Sequence, residues 1–213
     1  MNRFVTTLLL TGTLAAAGFA TASAAVPSPA NSTLPACMAL CPLGDLSFTV
    51  TVRDLANNPI AGSTVVIDFS GCPNGAYICP QRPGDVYVID LPTRTIRMVT
   101  PASGTVTFPA RIGGVGPAGC AKVFADGVPL RSYALASPDQ NGNGVAVSIV
   151  DVDDVLFAAK LGTVDPTADF DCSGGAVDAA DQLIFNHHLA HSCDGIVLPV
   201  ERRSWGSLKS YYR

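Results

Sequence analysis

The stretch LSFTVTVRDLANNPIAGSTVVIDF, residues 46–69, decides the fold class of this chain. In its first half, apolar residues alternate with Ser, Thr and Arg, which is the period-two pattern of a strand with one buried face. The segment NNP at residues 57–59 is typical of a turn. Beyond it the alternation resumes at Val65, Ile67 and Phe69. The stretch therefore predicts two strands joined by a turn.

Further strand-like segments follow at short intervals, each bounded by Gly, Pro, Asn or Asp. They are DVYVID (85–90), TRTIRMVT (93–100), GTVTFPARI (104–112), CAKVFADG (120–127) and VPLRSYAL (128–135). Short strands at this spacing, without a helical pattern between them, predict a mainly β domain built as a β-sandwich over residues 43–136.

Two phrases of this region resemble the bacterial immunoglobulin-like domains of surface and secreted proteins. They are VTVRDLANNPIAGSTVVIDF (50–69) and TPASGTVTFPARIGG (100–114). The resemblance implies an immunoglobulin-like β-sandwich. It implies one of two roles for that domain, a packed spacer or an adhesion surface.

A second pattern occurs twice, thirty positions apart, as SPDQNGNGVAVSIVD (137–151) and TADFDCSGGAVDAAD (167–181). Each copy has oxygen-bearing side chains at relative positions 1, 3 and 5, a Gly at 6 and an Asp at 13, where a helix is expected to begin. Alternate side chains of a curling loop can point at one centre, and Gly allows the sharp turn. This is the logic of EF-hand calcium loops, and Ca²⁺ prefers such oxygen ligands. The two loops therefore predict two calcium sites.

Two half-hands of this kind, each a loop followed by one helix, resemble dockerin repeats, the calcium-loaded modules that plug enzymes of cellulose-degrading complexes into cohesins. The resemblance implies a small α-helical dockerin-like module over residues 137–195. The ligands it implies are Asp139, Asn141, Asn143 and Asp151 in the first loop, with Ser148 acting through water, and Asp169, Asp171, Ser173, Asp178 and Asp181 in the second. Asp153 or Asp154 could replace Asp151 as the closing ligand. The first loop has fewer carboxylates and is expected to bind more weakly.

The charge of this module also favours a metal. Residues 137–195 hold ten Asp and one Lys, a net charge of −9. A compact module with that charge repels itself unless a cation is bound. The same charge excludes nucleic acid as its partner.

The first 24 residues are typical of a cleaved signal peptide, with a basic start, an apolar run and a small-x-small end at residues 22–24. No later segment is long and apolar enough to span a bilayer. The chain is therefore expected to be secreted, extracellular or at the cell surface. Its seven cysteines predict disulfides. Cys172 and Cys193 bracket the second loop and are expected to pair, and Cys72 and Cys79 are close enough to staple a loop. The pairing of the others stays open, with one thiol left over.

Apolar faces are predicted for a short helix after each loop. One face consists of Val152, Val155, Leu156 and Ala159, and the other of Leu183, Ile184, Phe185 and Leu189. The three histidines, His187, His188 and His191, are expected to be partly exposed at a helix end. Two imidazoles one turn apart without a third ligand are weak evidence for a metal, and no Cys/His spacing indicates zinc.

Residues 25–42 are rich in Pro and Ser and are expected to form an extended arm or linker. The arm either reaches a neighbouring subunit and adds a short strand to its sheet, giving a fibre, or tethers the sandwich to the cell surface. The basic, aromatic tail at residues 196–213 either packs over the acidic module or serves as a secretion or assembly tag.

No nucleophile-and-base constellation or phosphate-binding loop stands out in the sequence, so the chain is not expected to be an enzyme. We expect a secreted, calcium-binding structural or adhesive protein, in one version the self-assembling subunit of an extracellular fibre. The alternative is a dockerin-type docking component of an extracellular polysaccharide-degrading system, with a cohesin-like receptor as its partner.

Overall fold

A computed structural model of the chain describes residues 25–72, 75–146 and 152–196. The signal-like residues 1–24 and residues 197–213 of the tail lie outside these ranges. The strands are β1 (Met38–Ala39), β2 (Phe48–Thr51), β3 (Thr64–Asp68), β4 (Tyr77–Ile78), β5 (Val88–Asp90), β6 (Thr95–Val99), β7 (Thr105–Phe108), β8 (Ile112–Gly113), β9 (Gly116–Ala125), β10 (Val128–Ala136), β11 (Val145–Ala146), β12 (His191–Ser192) and β13 (Gly195–Ile196). The helices are α1 (Asp153–Ala158) and α2 (Ala179–His187). The prediction of a mainly β chain is confirmed.

Most of the strands form one six-stranded sheet with the order β1-β10-β9-β3-β6-β5. Its pairs are antiparallel except for β1 with β10. The smaller sheet β2–β7 pairs Phe48 with Phe108 and Val50 with Val106. All seven segments that the alternation marked as strands contain a strand.

A single hydrophobic core joins these two sheets. Val50 of β2 and Val65 and Ile67 of β3 are fully buried, as their alternation predicts. The ring of Phe48 meets the ring of Tyr133 on β10 edge to face, with centroids 5.4 Å apart. The period-two pattern thus determines the buried face of these strands, because a shift of one residue in strand register would turn their apolar side chains towards solvent.

The remaining elements form a second, smaller cluster beside this core. Phe157 of α1 stacks on Phe170 and on Phe185 of α2, with centroids 5.7 and 4.3 Å away. Ala136, Ala168 and Val177 complete the buried group. Three aromatic rings thus supply most of the apolar interior around the two loops.

The disulfides differ from the expected ones. They join Cys37 to Cys172, Cys72 to Cys120 and Cys79 to Cys193. The expected bridge between Cys172 and Cys193 and the staple between Cys72 and Cys79 are therefore wrong. Two of the three bridges instead link the module of the two loops to the β-rich part of the chain. Proximity along the sequence was a poor guide because the module packs directly against the sheets. The three bridges are compatible with an exported protein.

The Pro/Ser-rich segment lies against its own chain instead of extending away from it. Thr33 forms an antiparallel bridge with Thr51 of β2, and the Ser28 amide donates to the Arg53 carbonyl at 2.7 Å. Ser28 is buried, and Leu34 packs on the core. The edge of β2 is therefore already covered from within the chain.

The two predicted helical faces are largely exposed. Val155 is 66% and Leu183 72% accessible, whereas the residues that α1 and α2 bury are Phe157 and Phe185, each with the Asp four positions before it. The predicted face of α1 is wrong. In the predicted face of α2, Phe185 is buried and Ile184 packs against the same cluster, whereas Leu183 and Leu189 are exposed. Among the described residues no helix is long and apolar enough to cross a membrane.

Candidate metal sites

The second loop brings three of its predicted ligands together. Asp169, Asp171 and Asp181 each offer a carboxylate oxygen, and these oxygens all lie within 4.8 Å of one another. Asp169 and Asp181 are buried, and Asp171 is exposed. Three carboxylate oxygens at this separation can hold a cation between them.

Backbone amides of the loop hold these carboxylates in place. Asp169 accepts from the Ser173 amide at 3.0 Å and from the Gly174 amide at 2.9 Å. Asp181 reaches back from α2 to accept from the Phe170 amide at 2.7 Å. Gly174 has φ of +70°, a conformation that glycine adopts without steric cost. The Gly at loop position 6 thus lets the chain curl around the first Asp.

The other two predicted ligands of this loop have backbone partners instead. Asp178 is the N-cap of α2 and accepts from the Ala180 amide at 2.7 Å, in a capping box with Asp181. The Ser173 hydroxyl accepts from the Gly175 amide at 3.3 Å. Both residues are exposed. The Ser173 hydroxyl also hydrogen-bonds the Asp171 carboxylate, whereas Asp178 does not belong to the cluster of three carboxylates.

The first loop repeats this arrangement. Asp139 accepts from the amides of Asn143 and Gly144 at 3.1 and 2.8 Å, as Asp169 does in the second loop. The side chain of Asn141 accepts from the Asn143 amide at 3.0 Å, and that of Asn143 from the Val145 amide at 2.9 Å. The beginnings of the two loops, residues 139–145 and 169–175, are therefore alike in backbone hydrogen bonding.

Asp153 holds the place in the first loop that Asp181 holds in the second. It is fully buried and accepts from the Asn141 amide at 2.8 Å. Asp154, the other alternative, is exposed and accepts from the Val155 amide. Asp151 and Ser148 lie outside the described residues.

A sequence signal does identify Asp153. The segment DDVLF (153–157) matches DQLIF (181–185), which sets Asp153 on Asp181 and Phe157 on Phe185. In each helix the Asp and the Phe four positions later lie on the buried face. The first loop, from Asp139 to Asp153, is two residues longer than the second, from Asp169 to Asp181. Counting to position 13 in the first loop therefore gives Asp151 and not Asp153.

The carboxylates of the second loop repel one another. Burial, the neighbouring Asp171 and the charge of Asp181 raise the pKa of Asp169, although amides of the loop oppose the rise. The Ser173 amide lowers the pKa of Asp171.

Nearby, Lys160 donates to Gln140 at 2.6 Å and to Thr167 at 2.5 Å, so its ammonium group connects the beginnings of the two loops.

A further cluster of potential metal ligands was not predicted from the sequence. Cys41, Asp45, His188 and His191 each offer a ligand atom, and these atoms lie within 4.8 Å of one another. His188 Nδ1 and His191 Nδ1 lie 3.0 and 3.1 Å from the same oxygen, Asp45 Oδ2. Cys41 is the one unpaired cysteine among the described residues. The cluster lies where the segment after β1 meets the end of α2 and β12.

Burial dominates the electrostatics of this cluster. It raises the pKa of the Cys41 thiol far above its usual range and lowers the pKa of His188. Burial alone would raise the pKa of Asp45, but a hydrogen bond from Cys41 and the neighbouring His188 and His191 hold it below its ordinary value.

The expectation of three partly exposed histidines is wrong for two of them. His188 and His191 are 5% and 7% accessible, and only His187 is exposed. The available signal was two close pairs, Cys41 with Asp45 and His188 with His191, but more than 140 residues separate the pairs. No local spacing can show that the fold brings them together.

Comparisons of the chain with protein-family models, with curated proteins and with solved structures find no match.

Proposed function

We propose that this chain is an exported, calcium-binding, non-catalytic protein with a structural or adhesive role. The observation that carries the proposal is the carboxylate cluster of Asp169, Asp171 and Asp181, in a loop whose backbone arrangement recurs around Asp139 and Asp153. In this proposal, residues 43–136 are the immunoglobulin-like sandwich and residues 137–195 the dockerin-like module.

The donor chemistry supports calcium at these loops. Carboxylate and amide oxygens without sulfur or imidazole suit a hard cation that takes six to eight oxygen ligands. Buried Asp139, Asp153 and Asp181 place negative charge in a low-dielectric interior, and a divalent cation offsets that cost. The second loop has three clustered carboxylates, whereas the first has Asn at position 3, so the second is the stronger site.

Calcium titration by calorimetry tests the proposal. About two ions per chain are expected. Asp181→Asn should remove or weaken the stronger site by at least about 10-fold, because calcium affinity follows the ligand charge count. The matched control is Asp178→Asn, which removes the same charge from the same helix start and keeps a good N-cap. It should leave calcium affinity nearly unchanged.

Thermal unfolding provides an independent measurement. Calcium at about 100 times its Kd should add about 2.7 kcal/mol to the free energy of unfolding, and a calcium-selective chelator should reverse the gain. No heat of binding, together with an unchanged Tm on chelation, would overturn the calcium assignment. Equal losses in the two variants would show that Asp181 has no special role.

A docking role is the second candidate, and exposed apolar side chains favour it. Val152, Val155 and Leu156 around α1 and Leu183 on α2 are 40–72% accessible. Such side chains on a calcium-ordered module suit a protein partner. A cohesin-type receptor domain should then bind the calcium-loaded chain, and Leu183→Asp should abolish binding. No binding by a panel of such receptors would favour the structural role.

A further inference from the structure

We propose that Cys41, Asp45, His188 and His191 form a tetrahedral zinc site, separate from the calcium loops. The four groups come from two segments of the fold, the turn after β1 and the end of α2 with β12. Cys41, His188 and His191 are buried, and all four ligand atoms lie within 4.8 Å of one another.

The distances between the ligand atoms match a zinc tetrahedron. Zinc bonds of about 2.0–2.1 Å to nitrogen and oxygen and about 2.3 Å to sulfur set edges of about 3.4 Å between N/O ligands and about 3.6 Å between S and N. The His188 and His191 Nδ1 atoms lie 3.2 Å apart, and each lies 3.0–3.1 Å from Asp45 Oδ2. Cys41 Sγ lies 3.5 Å from His191 Nδ1. Four of the six distances between the ligand atoms therefore agree with those of a zinc tetrahedron to within a few tenths of an ångström.

The donor set selects the type of metal. One thiolate, two imidazoles and one carboxylate suit borderline Zn²⁺, whereas Ca²⁺ requires a shell of oxygens. Four protein ligands fill the tetrahedron, which is the mark of a structural site and not of a catalytic one. The other six cysteines are in disulfides, so Cys41 alone keeps a sulfur for the metal.

A hydrogen-bonded network satisfies these groups less well. If both Nδ1 atoms donate to Asp45 Oδ2, two N–H groups converge on one oxygen with their nitrogens 3.2 Å apart. If one of them accepts instead, it gives up its bond to the carboxylate. A cation at the centre attracts all four ligand atoms at once. It would also fix the turn after β1 to β12, beside the Cys79–Cys193 bridge.

Zinc content of the full oxidised chain tests the proposal. Protein folded with zinc and then dialysed should retain about one zinc per chain by elemental analysis. His191→Gln and Cys41→Ser should weaken zinc binding by more than about 100-fold, since even outer-shell partners of zinc ligands are worth about 10- to 100-fold. The matched control is His187→Gln, an exposed histidine on the same helix end, which should retain the zinc. Asp181→Asn should also retain it, which separates this site from the calcium loops.

Cobalt provides a test that needs no variant. Co²⁺ added to the metal-free wild-type chain should give strong tetrahedral d–d absorption and a thiolate-to-cobalt band in the near ultraviolet, and zinc should displace both. Thiol counting and circular dichroism confirm that each variant keeps three disulfides and its fold. Failure of the wild-type chain to retain zinc, a cobalt spectrum without the thiolate band, or equal zinc loss in His187→Gln would each overturn the proposal.

Discussion

Arg111 and Asp85 form the most enclosed ion pair described in the fold. Arg111 Nη2 lies 2.8 Å from Asp85 Oδ2, with side chains 5% and 14% accessible. The same guanidinium donates to the carbonyls of Pro80 and Cys193 at 2.5 and 3.0 Å. One arginine thus connects the β-rich part of the chain to the C-terminal hairpin of β12 and β13.

Asp85→Asn should lower the free energy of unfolding by about 3–5 kcal/mol, because it leaves a buried guanidinium without its charge partner. Urea unfolding at neutral pH measures the loss. Asp194→Asn is the control, since Asp194 is fully exposed in its contact with Arg82 and exposed ion pairs contribute little to stability. A loss below 1 kcal/mol for Asp85→Asn would contradict the argument.

The same pair predicts a dependence on pH. Burial alone would raise the pKa of Asp85, but its hydrogen bonds with Arg111 and the Arg82 amide hold the pKa below its ordinary value. The stabilisation is therefore fully present above the unfolded pKa of about 3.9 and is lost as pH falls through the lower folded pKa. In acid, the stability difference between wild type and Asp85→Asn should shrink.

At the residue scale, the sequence predicts local chemistry and misses distant chemistry. Asp169, Asp171 and Asp181 lie in one loop, so their spacing alone brings them together. The first loop is two residues longer, and the carboxylate that matches Asp181 in its backbone contact is Asp153, which the sequence offered as an alternative to Asp151. Cys41 and His191 meet only through the complete fold, and no spacing rule covers them.

The strands and the helices differ in how well their buried faces can be predicted. Each strand has only two faces, so the alternation of Val65 and Ile67 determines the inward one. α1 has only six residues, too few for a helical period to stand out. Its orientation is set instead by Asp153, whose side chain is tied to the loop, and Phe157 follows on the same face one turn later.

Two substitutions in α1 test which face is buried. Phe157→Ala should cost about 3–5 kcal/mol of unfolding free energy, since it removes a ring stacked on two others. Val155→Ala should change that free energy by no more than about 0.5 kcal/mol, because Val155 is exposed. Urea unfolding at fixed calcium concentration compares them. If Val155→Ala lowers the free energy of unfolding more than Phe157→Ala does, the buried face of α1 is the one predicted from the sequence.

At the scale of the whole molecule, the arm no longer supports assembly into a fibre, because it covers β2 of its own chain. The fibre expected from the sequence would need another contact, and the candidate is β5, an outer strand of the six-stranded sheet. Val88 on this strand is 50% accessible, with Val86 and Leu91 beside it at 64% and 49%. An outer strand with exposed apolar side chains can pair with another copy.

Val88→Lys should therefore keep the chain monomeric where the wild-type chain elongates with calcium present, as measured by light scattering. Leu55→Lys is the control, because it adds the same charge at an exposed position, 84% accessible, outside the strands. A wild-type chain that stays monomeric at high concentration would exclude the fibre version. Elongation of Val88→Lys would exclude β5 as the contact.

The Cys37–Cys172 bridge, one of the two that fasten the module to the sheets, also determines how the chain responds to pulling. Tension applied across residues 37 and 193 passes through the Cys37–Cys172 bond and then along about 21 residues to Cys193. Fully drawn out, that path is about 70 Å long, whereas the same two points on a reduced chain could separate by about 540 Å. The interior of the sheets is shielded from the load. A chain cross-linked in this way lengthens under tension by a short, fixed distance and then resists further extension.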